Sequence, residues 1–81
     1  MKIRVRKALI IANLSKLDAD AVSREVESYL EDRGIATEVF KYYEKPDSLP
    51  EADCDVAFSL GGDGTVLFCA RSLAPRSIPI M

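Results

Sequence analysis

Gly61, Gly62, Asp63, Gly64 and Thr65 combine a stretch of backbone nearly free of side chains with a single carboxylate, the two things that handling a phosphate calls for. Three glycines in four positions permit positive φ angles, so amide N–H groups can converge on an anion. A carboxylate among such donors repels phosphate and needs a reason of its own. It can hold a cation that bridges phosphates, or take a proton from a hydroxyl that attacks one. Both reasons point to phosphoryl transfer.

The elements around this run decide whether it can work that way. Asp-Gly between two β-prone segments is also a hairpin signal. Against a hairpin, Val66, Ala70 and Leu73 recur at helical spacing, Leu67, Ala70 and Ala74 lie on nearby turns, and Arg71 and Ser72 fall on the polar side. Ala74-Pro75 makes a helix end. The pattern favours strand, loop and helix, with Asp55 to Leu60 as the strand that delivers the loop at its C-terminal end. In open α/β sheets, ligands bind outside those strand ends.

Upstream, strand and helix patterns alternate. A first strand is expected over Ile3 to Ala12, where Lys2 to Arg6 alternate polar and apolar and Ala8-Leu9-Ile10-Ile11-Ala12 reads as covered on both faces, as in a parallel sheet. Asn13, Ser15 and Asp18 offer turn and N-cap chemistry. A helix from about Asp18 to Arg33 places Ala19, Val22, Val26, Tyr29 and Leu30 on one face, with Ser23, Glu27, Glu31 and Asp32 mainly opposite. Gly34 supplies its C-terminal cap. A second strand spans Ile35 to about Tyr42, and Lys45 to Pro50 break it into a loop. Ile78-Pro79-Ile80-Met81 reads as the start of a fourth strand, which suggests a fragment of a longer polypeptide. The fold class expected is a Rossmann-like, three-layer α/β/α domain with a mainly parallel sheet.

Composition narrows the function. The chain has 81 residues and a formal charge of −2 from 11 basic and 13 acidic side chains, which argues against a nonspecific nucleic-acid binder. Lys2, Arg4, Arg6, Lys7 and Lys16 all precede the first acid, Asp18, and read as the solvated side of a first strand. With no histidine and only Cys54 and Cys69, a zinc site or a histidine-based nucleophile pair has no basis within the chain. The two cysteines read as small buried hydrophobes. No signal peptide and no membrane-spanning run is expected, and a cytoplasmic location follows.

The run Ser59-Leu60-Gly61-Gly62-Asp63-Gly64-Thr65-Val66-Leu67, followed by Ala70-Arg71 and Ile78-Pro79-Ile80, resembles the N-terminal part of NAD kinases. Related GGDG loops occur in diacylglycerol and sphingosine kinases and in 6-phosphofructokinases. The lipid kinases more typically continue with an Asn-Glu pair where this chain has Phe68 and Cys69. The resemblance implies transfer of the terminal phosphoryl group of ATP, or of polyphosphate, to the 2′-hydroxyl of the adenosine ribose of NAD, with Mg²⁺ or another divalent cation.

By similarity Asp63 is the catalytic proton acceptor, and Asp63, Gly64 and Leu67 line the NAD side. Gly61, Gly62, Gly64 and Thr65 approach the phosphates. Thr65 is equally readable as a helix cap, and Asn13, a possible nucleotide contact at the same sheet edge, as a turn residue. Tyr42 and Tyr43 are adjacent on a strand and point to opposite faces, so they form no adenine stack. Family members often carry a basic residue where Phe68 stands, and they hold NAD with an Asn-Glu or Asn-Asp pair and a β-rich C-terminal domain that these residues do not include. The resemblance implies NAD and ATP as substrates, no nucleic-acid or membrane partner, and a homo-oligomer for the full-length protein. It leaves the isolated chain without turnover. A lipid kinase domain and a noncatalytic nucleotide-binding module stay open as alternatives.

Overall fold

The computed structural model describes residues 5–44 and 53–81, and the backbone but not the side chain of Asp63. The start of the expected first strand, Ile3 and Arg4, and the loop expected over Lys45 to Pro50 lie outside the described residues. Strands β1 (Lys7–Asn13), β2 (Ala36–Tyr42) and β3 (Val56–Leu60) form a parallel sheet in the order β2-β1-β3. Helix α1 (Ala19–Glu31) connects β1 to β2, and helix α2 (Asp63–Leu73) follows β3 and runs into a 3-10 turn, Ala74–Arg76. Pro75 sits in that turn, as the helix-ending signal required.

Beyond β3 the chain comes back to the sheet. Ile80 bridges Ala57 in parallel, Ala57 N–H donates to the Pro79 carbonyl at 2.9 Å, and Met81 N–H donates to the Ala57 carbonyl at 2.8 Å. The fourth strand therefore begins on the far side of β3.

The alternation of β1 sorts its side chains into two cores. Ala8 and Ile10 meet Leu30, Val56, Val26 and Phe58 beneath α1. Leu9 and Ile11 meet Ala57, Cys69, Leu73 and Phe68 beneath α2. One helix on each face gives the three-layer arrangement, and it explains why Ala8 to Ala12 are fully buried without polar relief. Cys69 is buried and Cys54 packs against the same core, both free, in keeping with their reading as small hydrophobes.

Three expectations need correction. Val5 and Arg6 lie outside β1, which begins at Lys7, because the Arg6 and Lys7 amides turn to the Asp55 carboxylate at 2.8 and 3.1 Å. α1 is rotated: Ala19, Ser23 and Leu30 are buried, while Val22 and Tyr29 lie out. Burying Ser23 costs little, since its hydroxyl donates to the Asp20 carbonyl at 2.7 Å. Asp18 occupies the N-cap position with φ 65° but makes no side-chain cap. Gly34 behaves as expected, at φ 76°, with its amide on Glu31 and that of Ile35 on Leu30 in a Schellman-type close.

Candidate functional site

The strand order places the reversal of the sheet between β1 and β3. β1 leads outward to β2 on one side, and β3 leads outward to Ile80 on the other. A crevice opens at such a point beyond the carboxyl ends of the two strands. Those ends are Asn13 and Leu60, so Gly61 and Gly62 enter the crevice directly.

Gly61 has φ 148° and Gly62 φ 123°. A Cβ on Gly61 would stand 2.6 Å from the Asn13 Cβ and 2.8 Å from the Thr65 hydroxyl oxygen, so that position admits no side chain. Gly64 differs: it lies in α2, and a Cβ there would meet nothing within 4 Å. Two glycines thus make the turn, and the third is helical. Asp63 is the first residue of α2. The first amides of a helix lack the usual internal partner; here Thr65 N–H donates to the Gly62 carbonyl at 3.1 Å, and among the described residues no side chain caps the amides of Asp63 and Gly64. These donors and the exposed Gly62 and Gly64 face the same edge.

Thr65 is not a cap. It is buried at 1% exposure, and its hydroxyl pairs with the Tyr42 hydroxyl at 2.7 Å. Tyr42 is buried in turn and stacks at an edge on Phe68, centroids 6.0 Å apart, with Phe40 completing an aromatic group. Phe68 therefore serves the core beneath α2. The expected apolar face of α2 is also shifted: Thr65, Cys69 and Leu73 point in, while Val66 and Leu67 are exposed beside the loop, Leu67 at 58%.

Asn13 is buried, and its side-chain oxygen accepts the Ser15 N–H at 2.9 Å, which folds the chain back at the end of β1. Its φ is not positive, so the turn is made by the side chain rather than by an unusual backbone angle. The Ser15 hydroxyl accepts the Glu44 N–H at 2.6 Å, tying the β1–α1 loop to the end of β2. Tyr43, at 69% exposure, faces away from Tyr42 as strand alternation dictates.

A cleft of about 360 Å³ lies between the β1–α1 loop and the glycine turn. Lys16, Asp18 and Val22 line one wall; Ser59, Gly61 and Gly62 line the other. The structure thus brings Asn13, Gly61, Gly62 and Thr65 together at one edge, with Gly64 and Leu67 on the adjoining turn of α2. Sequence reasoning missed Tyr42 as the partner of Thr65, and Lys16 as a wall of the cleft. Neither pairing leaves a local pattern.

The ATP-NAD kinase N-terminal domain family matches residues 41–81, which hold β3, the glycine turn and α2. The chain is 46% identical over 78 residues to an NAD kinase of Treponema denticola, covering 94% of this chain and 27% of that protein. An NAD kinase of Chloroflexus aurantiacus is 40% identical over 63 residues, covering 74% and 22%. One of Nitratidesulfovibrio vulgaris is 31% identical over 83 residues, covering 100% and 29%. The chain therefore spans only a quarter or so of the length of these curated relatives. No solved structure matches it.

Proposed function

The chain belongs to the NAD kinase family, and on that premise we propose that it supplies the phosphate-handling part of an enzyme that moves the terminal phosphoryl group of ATP, or of polyphosphate, to the 2′-hydroxyl of the adenosine ribose of NAD. The observation that carries this reading is the placement of Gly61-Gly62-Asp63 at the reversal of a parallel sheet, with Asp63 opening α2. Phosphoryl transfer through a loose transition state asks for positioning and charge neutralisation more than for a reactive side chain.

In this reading the Asp63 carboxylate accepts the proton of the ribose 2′-hydroxyl. The oxygen so released bonds to the terminal phosphorus as the bond to the departing ADP breaks. Gly61, Gly62 and the first amides of α2 hold phosphate oxygens, Asn13 and Thr65 support that edge, and Gly64 and Leu67 lie toward NAD. A divalent cation such as Mg²⁺ supplies neutralising charge on the phosphates. Asp63 would be the protein's contribution to holding that ion. The NAD-binding remainder and the homo-oligomer belong to the full-length protein, and residues 1–81 alone do not turn over.

NADP formation from NAD, ATP and Mg²⁺ by the full-length protein tests the reading. Asp63→Asn should lower kcat by about 10²- to 10⁴-fold, the range for a positioned general base, while leaving the thermal transition in place. An Asn variant with full turnover would remove Asp63 from the proton step. Phosphorylation of diacylglycerol with no reaction on NAD would move the protein to the lipid kinases.

A further inference from the structure

In the kinase reading Asp63 adds negative charge to a site that holds an oligophosphate, which favours a further cation at the glycine turn, and a lysine of this chain lines the cleft beside it. Lys16 lies across the cleft from Gly62, with its Cε 3.7 Å from where a Cβ on Gly62 would be. Its backbone is fixed on both sides: Lys16 N–H donates to the Asn13 carbonyl at 3.1 Å, and the Lys16 carbonyl accepts Ala19 N–H at 3.3 Å. The loop that carries it is pinned further by the Asn13 side chain and by the link from Ser15 to Glu44.

The ion pairs among the described residues leave Lys16 out. Lys7 pairs with Glu38 at 3.9 Å, and Asp20 takes both Arg24 and Lys41, the latter at 2.7 Å. Asp18, the other ionisable group on that wall, is exposed and makes no side-chain hydrogen bond to the helix it precedes. Among the described residues the Lys16 ammonium makes no ion pair, and its Cε lies beside the glycine turn.

We propose that Lys16 binds the oligophosphate chain of the phosphoryl donor, closing over it from the β1–α1 loop while the amides at Gly62 and α2 hold it from the other side. The assignment rests on the kinase reading for its role in turnover, and on the cleft alone for binding. The Lys16 methylenes reach to within van der Waals contact of a Cβ at Gly62, which puts the end of the side chain within reach of an anion held at the turn.

The test is titration calorimetry of the full-length protein with inorganic tripolyphosphate and with ATP. Lys16→Met should weaken both by about 10-fold or more, as expected for a charge-assisted contact. Lys16→Arg should recover much of the loss. Lys7→Met, which removes the same charge from the opposite sheet edge, should bind as the parent does. In steady state, Lys16→Met should raise the donor KM and leave the KM for NAD unchanged, and comparing turnover with ATP and with polyphosphate identifies the donor.

Unchanged tripolyphosphate binding in Lys16→Met, a loss confined to ATP, an equal loss in Lys7→Met, or a rise in the NAD KM alone would each overturn the assignment. A parent protein that binds tripolyphosphate through Lys16 but does not phosphorylate NAD would sink the kinase reading and keep this one. A parent that binds neither probe would sink this one.

Discussion

The two edges of the sheet treat their polar groups in opposite ways. At the amino edge the chain closes on itself: the Asp55 carboxylate accepts the Arg6 and Lys7 amides, Asp55 N–H donates to the Lys7 carbonyl at 2.9 Å, and Ala36 N–H donates to the Arg6 carbonyl at 3.0 Å. At the carboxyl edge, Gly61 and Gly62 turn without side chains, α2 begins without a cap, and Lys16 makes no ion pair among the described residues. Both edges are made by the same three strands. An edge that spends its donors on itself is structure, and an edge that leaves them open is built for something else.

Within the open edge the contrast is sharpest between Gly61 and Gly64, and substitution separates them. Gly61→Ala should destabilise the full-length protein by about 2–5 kcal/mol, from a glycine-only backbone angle and a side chain driven into Asn13. The thermal transition should fall by many degrees, and a transition within a degree or two of the parent would break the claim that this position is closed.

Tyr42→Phe comes next. It strands the buried Thr65 hydroxyl and should cost about 1–3 kcal/mol. Adding Thr65→Val, which removes the second hydroxyl, should recover part of that loss in urea unfolding. A double variant no better than the sum of the singles would show the pair to be uncoupled.

Gly64→Ala is the sharpening test, since a helical position with open space around it should gain about 0.5–1 kcal/mol of stability. Activity should nonetheless fall if, as proposed, Gly64 lies on the side where NAD approaches. A variant both more stable and fully active would leave Gly64 without a role in binding.

The smallest effect belongs to the closed edge. The Arg6 amide first, and then that of Lys7, hold the Asp55 carboxyl below its ordinary value of 3.8. A depressed folded value contributes stability that is complete above 3.8 and fades as pH falls through the lower folded value. Asp55→Asn should therefore lower the neutral plateau of a plot of Tm against pH slightly and flatten its acid limb below about pH 5, so that parent and variant converge in acid. An unchanged limb would remove Asp55 from the account of that edge.

Much of this was legible in the chain itself. The continuous apolar run of β1 predicts a strand covered on both faces, Gly34 the end of α1, and Ile80 the return to the sheet. The glycine turn after β3 was readable because strand, turn and helix follow one another in sequence. The rotation of the helices was not. Ala19, Val22, Val26, Tyr29 and Leu30 span an arc wider than the sheet covers, and Ser23 faces inward because its hydroxyl is satisfied within its own turn. Thr65 turns in for a partner on β2 that is distant in sequence, and no local pattern records such a contact.

The central position of β1 also bears on how the chain is made. Its apolar run is synthesised first, and β2 pairs with it soon after, but its other side waits for Val56 to Leu60, since Ala8 pairs with Val56 and Ala12 with Leu60. Such long-range parallel pairing is slow, because the intervening loop must close before any contact rewards it. During translation Ala8 to Ala12 are therefore a hydrophobic edge open to the wrong partner, and the strand that finally covers it is the one that carries the glycine turn into place.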